Sequence, residues 1–320
     1  MSNIPFLIKY KPSNLNDLLI DNDMKTILKG LINISNLNIL FLGNNCSGKT
    51  SILKVIINEY FKDLSIKEQN NNILFINSLK EQGINFYRTE VKTFCQSKSL
   101  IPGKKKIIMI DDIDTINIQS QQVFRNCLDK YSKNINIIAS ANNNQKVIDS
   151  IQSRLLTIKI KQINNNQLLN ILKDIKVKEK INFDSKIDEF IINISNNSIR
   201  VMLNYLEKIK IFTNKITLKN YKNFCSNISY IEFEEYTDYC KKNDIKNSIK
   251  IIYNLYNYGY SVIDILDGYY NFIKIYKLEE SIKYKIIHII TEYIAIFHGE
   301  SEDELELSCL TFDLINLFNS

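Results

Sequence analysis

At 320 residues, with 45% hydrophobic and 24% charged side chains, the chain has enough apolar material for two or three buried cores, which excludes a disordered polypeptide. The net charge of +6 is unevenly spread: residues 1–161 carry 22 Lys and Arg against 13 Asp and Glu, so any contact with a polyanion is expected there. Six cysteines without a C-x-x-C pair or a neighbouring His exclude a zinc ribbon and a disulfide framework, and with no leader-like start a reducing, intracellular setting is expected.

The first informative stretch is LNILFLGNNCSGKTSILKVIINEYF, residues 37–61. The apolar run 37–42 predicts a buried strand, and the spacing of Ile52, Leu53, Val55, Ile56, Ile57 and Tyr60 predicts a helix. Between them Gly43, Asn44, Asn45, Cys46, Ser47, Gly48, Lys49 and Thr50, followed by Ser51, fit the G-x-x-x-x-G-K-[ST] phosphate loop in the strand–loop–helix context that gives the pattern meaning. Backbone N–H groups of such a loop point at phosphates from the positive end of the helix. Lys49 would neutralise the β- and γ-phosphates of ATP, and the Thr50 hydroxyl would hold Mg²⁺.

Next, KKKIIMIDDIDTIN predicts a short buried strand over 107–110 that ends in Asp111 and Asp112. Asp111 is the candidate second Mg²⁺ ligand, Asp112 the candidate base that orients an attacking water, and Asp114 a helix cap or structural charge. Lys104 to Lys106 read as a solvated loop. The two motifs together specify an NTP-binding α/β domain, set at residues 1–161. Residues 162–227 read as a compact helical segment, with helices around 166–173, 185–195 and 199–212. From 228 to 320 long amphipathic patterns such as IKNSIKIIYNLYNYG and SVIDILDGYYNFIKIY predict a second helical bundle. Within it Gly259 and Gly268 read as turn or helix-end residues, and His288 and His298 as structural. The most apolar helix candidate, 286–297, contains His288 and Glu292, which argues against a membrane span.

Four further segments belong together. PFLIKYKPSNLNDLL presents Pro5, Lys9, Tyr10, Pro12, Leu15 and Asp17 in the spacing P-W-x-E-K-Y-R-P-x-x-L-x-D-L. INSLKEQGINFYRTEVKTFC presents Asn77, Ser78, Gly83, Ile84, Arg88 and Phe94. IDDIDTINIQSQQVFRNCLDKYS presents Asp111, Asp114, Gln122, Arg125 and Tyr131. SANNNQKVIDSIQSRLLTIKI presents Asn142, Lys146, Ile148, Gln152, Ser153 and Arg154. In these segments the chain resembles the small subunits of replication factor C, the AAA+ clamp loader of eukaryotes, archaea and some large DNA viruses, and weaker echoes run to HGESEDELELSCL.

The resemblance implies an AAA+ domain with a parallel sheet, then a helical lid and an all-α collar that packs against its copies in a five-membered ring. It implies that Tyr10, Lys11 and Pro12 sit beside the adenine and sugar, and that Asn142 is a first sensor reaching the γ-phosphate or the attacking water. By the same likeness Arg154 is an arginine finger donated to a neighbour's ATP, and Arg200 is a second sensor on the lid. Arg88 and Lys92 share one face of a helix predicted over 85–96; the resemblance turns that face to a DNA backbone, a solvated face being the alternative. Implied partners are other ring subunits, a sliding clamp and primer-template DNA, in a nucleus, a viral replication site or the cytoplasm.

The chain departs from the family pattern where Asp112 replaces a glutamate, where Asn44-Asn45-Cys46 replace Pro-Pro-Gly, at Leu155 after the Ser-Arg pair, and at Ile8 and Lys11. The shorter Asp112 side chain leaves open a subunit that binds nucleotide without hydrolysing it. A stand-alone AAA+ DNA-remodelling ATPase would instead show a winged helix at its C-terminus, where the sequence gives long helices.

Overall fold

Runs such as ILFL and KIIMID carry apolar side chains on consecutive residues, so both faces of each strand must be covered, the condition for a parallel sheet between helical layers. The computed structural model describes residues 4–77, 83–99, 101–181, 185–211, 228, 230–299 and 303–319. Its sheet is parallel throughout, ordered β2-β3-β4-β1-β5, with β1 Ile39–Leu42, β2 Ile73–Asn77, β3 Lys106–Asp111, β4 Ile135–Ala141 and β5 Leu156–Lys159. The register pairs Leu42 with Ala141 and Ile110 with Ala139, which brings the carboxyl ends of β1, β3 and β4 to one edge of the sheet. A crevice outside such ends is where ligands of open α/β sheets bind.

Among the described residues two apolar layers cover the sheet. On one face α1 (Asn22–Asn33) and α2 (Lys49–Tyr60) bury Leu28, Ile52, Leu53, Val55 and Ile56 against Ile39, Phe41, Ile107 and Met109. On the other lie a helical run of three parts, Ile84–Phe86, Tyr87–Val91 and Lys92–Gln96, which we call α3, and α4 (Ile118–Tyr131). The middle part of α3 is one π-helical turn, and the run buries Tyr87, Val91 and Cys95 at a spacing of four against Phe124 and Cys127. Asn117 caps α4 by accepting the Ser120 N–H at 2.8 Å. Lys106, expected in a solvated loop, is instead the buried first residue of β3. Its ammonium lies over the Phe94 ring at 4.7 Å and donates to Ser97 Oγ at 2.7 Å, so aromatic and hydroxyl contacts replace water.

By its contacts the chain divides into two units: residues 1–168 with 197–200, and residues 169–196 with 201–320. The second is helical in its described residues: α5 (Asn165–Glu179), α6 (Ser185–Ile194), α7 (Ile199–Ile211), α8 (Tyr230–Lys241), α9 (Ile245–Asn257), α10 (Val262–Ile275), α11 (Glu280–Gly299) and α12 (Leu305–Asn319). The boundary expected near residue 227 falls outside the described residues. Phe233, Tyr236 and Tyr269 are fully buried at the centre of this unit. The two tyrosine hydroxyls are satisfied within it: Tyr236 pairs with Thr311 at 2.9 Å and Tyr269 with Thr237 at 3.1 Å. Gly259, at φ +100°, makes the expected turn. Gly268 does not: it lies inside α10, where a Cβ would sit 3.1 Å from the Phe233 ring, so close packing rather than a helix end requires it. No described helix is long and apolar enough to cross a membrane.

Candidate functional site

The phosphate loop joins β1 to α2, and its backbone accounts for its residues. A Cβ on Gly43 would lie 2.8 Å from Ser47 Oγ and 3.2 Å from the Ile160 carbonyl oxygen, so only glycine fits. Gly48, at φ +89°, holds the left-handed turn that opens α2; Cys46 holds a second one at φ +62°, which costs a non-glycine residue about 1 kcal/mol. Lys49 is buried and folds back over the loop. Its Nζ donates to the Gly43 and Asn44 carbonyl oxygens at 2.9 Å each and to Asn142 Oδ1 at 2.6 Å. Burial pushes its pKa below the usual lysine value, against the opposing pull of Asp112, Asp111 and Asp114. Ser47 Oγ is buried in the loop and has no partner among the described residues.

Asp111 and Asp112 leave the end of β3 beside the end of β4. Thr50 Oγ1 lies 3.0 Å from both Asp111 carboxylate oxygens. Ser140 Oγ, fully buried on β4, donates to Asp111 Oδ1 at 2.7 Å and accepts the Asp112 N–H at 2.9 Å, so one hydroxyl ties the two acids together. Asp112 has φ +53°, and its carboxylate accepts from Asn142 Nδ2 at 3.3 Å. Burial first, and the charge of Asp111 second, raise its pKa above the ordinary aspartate value, while Lys49 opposes the rise. Asp114 is not a helix cap: its Oδ2 accepts the N–H groups of Asn142 at 3.1 Å and Asn143 at 3.0 Å, which clamps the loop that presents Asn142.

Lys49, Thr50, Asp111, Asp112 and Asn142, drawn from three separate segments, thus meet at the carboxyl edge of the sheet. The fit to a metal rests on donor chemistry. A hydroxyl and a carboxylate are hard oxygen donors suited to Mg²⁺, which keeps waters and takes phosphate oxygens rather than a full protein cage. Among the described residues no group of three or more His, Cys, Asp or Glu is placed to hold a metal ion. The buried, unpartnered Ser47 hydroxyl and the glycine-only approach at Gly43 fit a phosphate lying against the loop.

Other predicted residues stand apart from this cluster. Lys11 and Pro12 line a cavity of about 420 Å³ together with Lys54, Ile73, Phe75 and Met109; Tyr10 packs edge-on to Phe6 at 5.6 Å. Burial and the neighbouring Lys54 ammonium lower the pKa of Lys11. Arg154 is held within its own chain, where Nε and Nη2 donate to Asp129 Oδ1 and Oδ2 at 2.6 and 3.2 Å. Arg200 is exposed at the second position of α7, and Arg88 and Lys92 are exposed on α3.

Three contributors escaped the sequence reading. Ser140 stands in a strand, INIIASA, that is apolar apart from it and Asn136, which is its only local signal. Asp129 pairs with a residue 25 positions away and has none. Gln122, matched by resemblance, is exposed; its neighbour Gln121 is fully buried, with Nε2 donating to the Ile113, Ile116 and Lys146 carbonyl oxygens and Oε1 accepting the Ile148 N–H.

Comparison with known proteins agrees with this geometry. Residues 39–163 match the family "ATPase family associated with various cellular activities (AAA)", and residues 230–303 match "Replication factor C C-terminal domain". A mimivirus protein named as a replication factor C small subunit is 27% identical over 91% of this chain and 90% of its own length. A replication factor C small subunit of Methanococcus maripaludis is 26% identical over 96% of both chains, and replication factor C subunit 2 of Arabidopsis thaliana is 25% identical over 88% of this chain and 84% of its own. Among solved structures, the RuvB Holliday junction branch migration motor of Thermotoga maritima superposes with a TM-score of 0.52 over 72% of this chain and 78% of its own, at 12% identity, a likeness of fold alone. The chain thus pairs a match to the AAA family with a match to the replication factor C C-terminal domain, and over most of its length it is similar to replication factor C small subunits of a mimivirus and an archaeon and to replication factor C subunit 2 of a plant.

Proposed function

We propose that the chain is an ATP-using subunit of a ring that opens a sliding clamp and places it on primer-template DNA. The observation that carries this reading is the junction of Lys49, Asn142 and Asp112 on one side with Thr50, Asp111 and Ser140 on the other, in a chain with these likenesses. In it the loop N–H groups and Lys49 bind the triphosphate, with Lys49 exchanging its carbonyl contacts for phosphate oxygens. Thr50 and Asp111 hold Mg²⁺, which when bound neutralises charge on the phosphate oxygens. Asp112 takes the proton of the attacking water, and Asn142, fixed by Asp114, orients that water or the γ-phosphate. Tyr10, Lys11 and Pro12 border the base and sugar, Arg200 contacts phosphate from the lid, Arg154 serves the neighbour's site, and Arg88 with Lys92 follows the DNA backbone. Residues 1–161, 162–227 and 228–320 then act as motor, lid and collar within a replication assembly inside the cell.

A second reading, a subunit that holds ATP without hydrolysing it, is favoured by the short Asp112 side chain, whose carboxylate is already engaged by Asn142. The assembled complex separates the two. Lys49→Ala should abolish nucleotide-dependent clamp loading, and unaltered loading would rule out this site. Asp112→Ala should cut single-turnover hydrolysis by about a hundredfold or more; an unchanged rate would favour the holding subunit.

A further inference from the structure

We propose that Asp129 is a positioning residue for Arg154: it grips one edge of the guanidinium and so presents the other edge to the triphosphate bound by a neighbouring chain. The inference rests on the reading of Arg154 as a residue that acts in trans, and it goes beyond that reading by naming what aims it.

A guanidinium offers five N–H donors in a fixed plane, arranged along distinct edges. In this chain the edge made by Nε and Nη2 is spent on Asp129, as a bidentate pair with Oδ1 at 2.6 Å and Oδ2 at 3.2 Å. On the opposite flank Nη1 donates to the Ser150 carbonyl oxygen at 2.6 Å and reaches Ser153 Oγ at 3.4 Å. The planar group is therefore pinned from both flanks. Among the described residues Nη1 and Nη2 make no further hydrogen bond, and the side chain is one third exposed. A bidentate, charge-assisted pair fixes direction as well as distance. Without it a long, rotamer-rich side chain must be ordered each time it meets a phosphate. Asp129 is itself anchored: it lies near the end of α4, and the Arg125 guanidinium one turn earlier approaches its Oδ2 at 3.5 Å. Its hydrogen bonds from Arg154 hold the Asp129 carboxyl below the usual aspartate range, so the grip persists at neutral pH.

The opposite role, a latch that keeps Arg154 away from the neighbour, predicts faster hydrolysis once the Asp129 grip is removed.

The test uses the assembly purified through a tag on this chain, with single-turnover ATP hydrolysis and nucleotide affinity measured side by side. Asp129→Asn should slow hydrolysis about ten- to a hundredfold, as a misaimed group does. ATP affinity at this chain's own loop, assembly mass and melting temperature should stay the same, because Asp129 is exposed. Asp129→Glu should recover most of the rate, and Asp129→Asn added to Arg154→Ala should slow the reaction no further. A wild-type or faster rate for Asp129→Asn, beside a slow Arg154→Ala, overturns the positioning role while the trans reading of Arg154 stands. An unaffected rate for Arg154→Ala itself overturns both.

Discussion

Asp112 combines a left-handed backbone, an N–H fixed by Ser140 and a carboxyl held above its ordinary pKa by burial and by Asp111. The left-handed backbone and the raised carboxyl oppose stability, the Ser140 bond holds them in place, and together they serve a carboxylate that must take up a proton, the kind of local cost that concentrates at functional sites. The sign of the pH effect follows. A carboxyl whose folded pKa is raised binds protons more readily when folded, so the fold gains stability as pH falls through that pKa and loses it as pH rises. Asp112→Asn keeps an acceptor for Asn142 Nδ2 but removes the charge. Its melting temperature should therefore exceed wild type at neutral pH, and the gap should close below about pH 4, the ordinary aspartate pKa. Melting curves of the nucleotide-free chain from about pH 3 to 8 check this, and a less stable Asp112→Asn at about pH 7 would contradict it. The loop from Gly43 to Thr50 and the acid pair at Asp111 were legible in the sequence because their function lies in contiguous residues. Ser140 and Asp129 were not, because each acts across segments that only the sheet register and the packing of α4 bring together.

At the scale of elements, α4 is fastened by Gln121. Its side chain satisfies three carbonyl oxygens and one N–H from the segments after β3 and β4, at 2.9 to 3.3 Å and out of water. Gln121→Leu fills similar volume but takes the side-chain partner from the Ile116 and Lys146 carbonyl oxygens and the Ile148 N–H, while the Ile113 carbonyl oxygen keeps the Ile116 N–H. Each buried orphan costs about 1–3 kcal/mol, so a loss of about 2–4 kcal/mol is expected after some relaxation. Gln122→Leu, on the exposed face, should change stability by under about 0.5 kcal/mol. Urea titration of both variants tests the pair, and equal midpoints would refute the assignment. The helix itself carried the signal that selects between the two glutamines: Gln121, Phe124 and Leu128 recur at three and four on the buried face, whereas Gln122 falls beside it. The helical run over 84–96 was legible from its apolar spacing of four, but its π turn was not, since no residue there departs from ordinary helix formers.

Across the whole molecule the two units have separate cores, one built on the sheet and one on the aromatic centre formed by Phe233, Tyr236 and Tyr269. The helical character of the second was legible in its amphipathic repeats, yet which helix meets which was not, because amphipathic faces of Ile and Tyr fit many partners equally well. Gly268 shows the cost of that ambiguity: read as punctuation, it is a contact point between α10 and Phe233 of α8. Separate cores imply separate responses. ATP with Mg²⁺ at a hundred times Kd stabilises whatever unfolding exposes its site by about 2.7 kcal/mol. Every group of this chain's proposed nucleotide site belongs to the first unit, residues 1–168 with 197–200, so hydrogen exchange should slow in β1, β3, β4 and α2. Exchange in α8 and α10 of the isolated chain should stay as it was. Gly268→Ala should do the reverse, hastening exchange in α8 and α10 while ATP affinity holds, because the added methyl meets a ring in the second core and nothing in the first. Exchange of α10 slowed by ATP in the isolated chain, or ATP affinity lost on Gly268→Ala, would mean that the two cores do not respond separately.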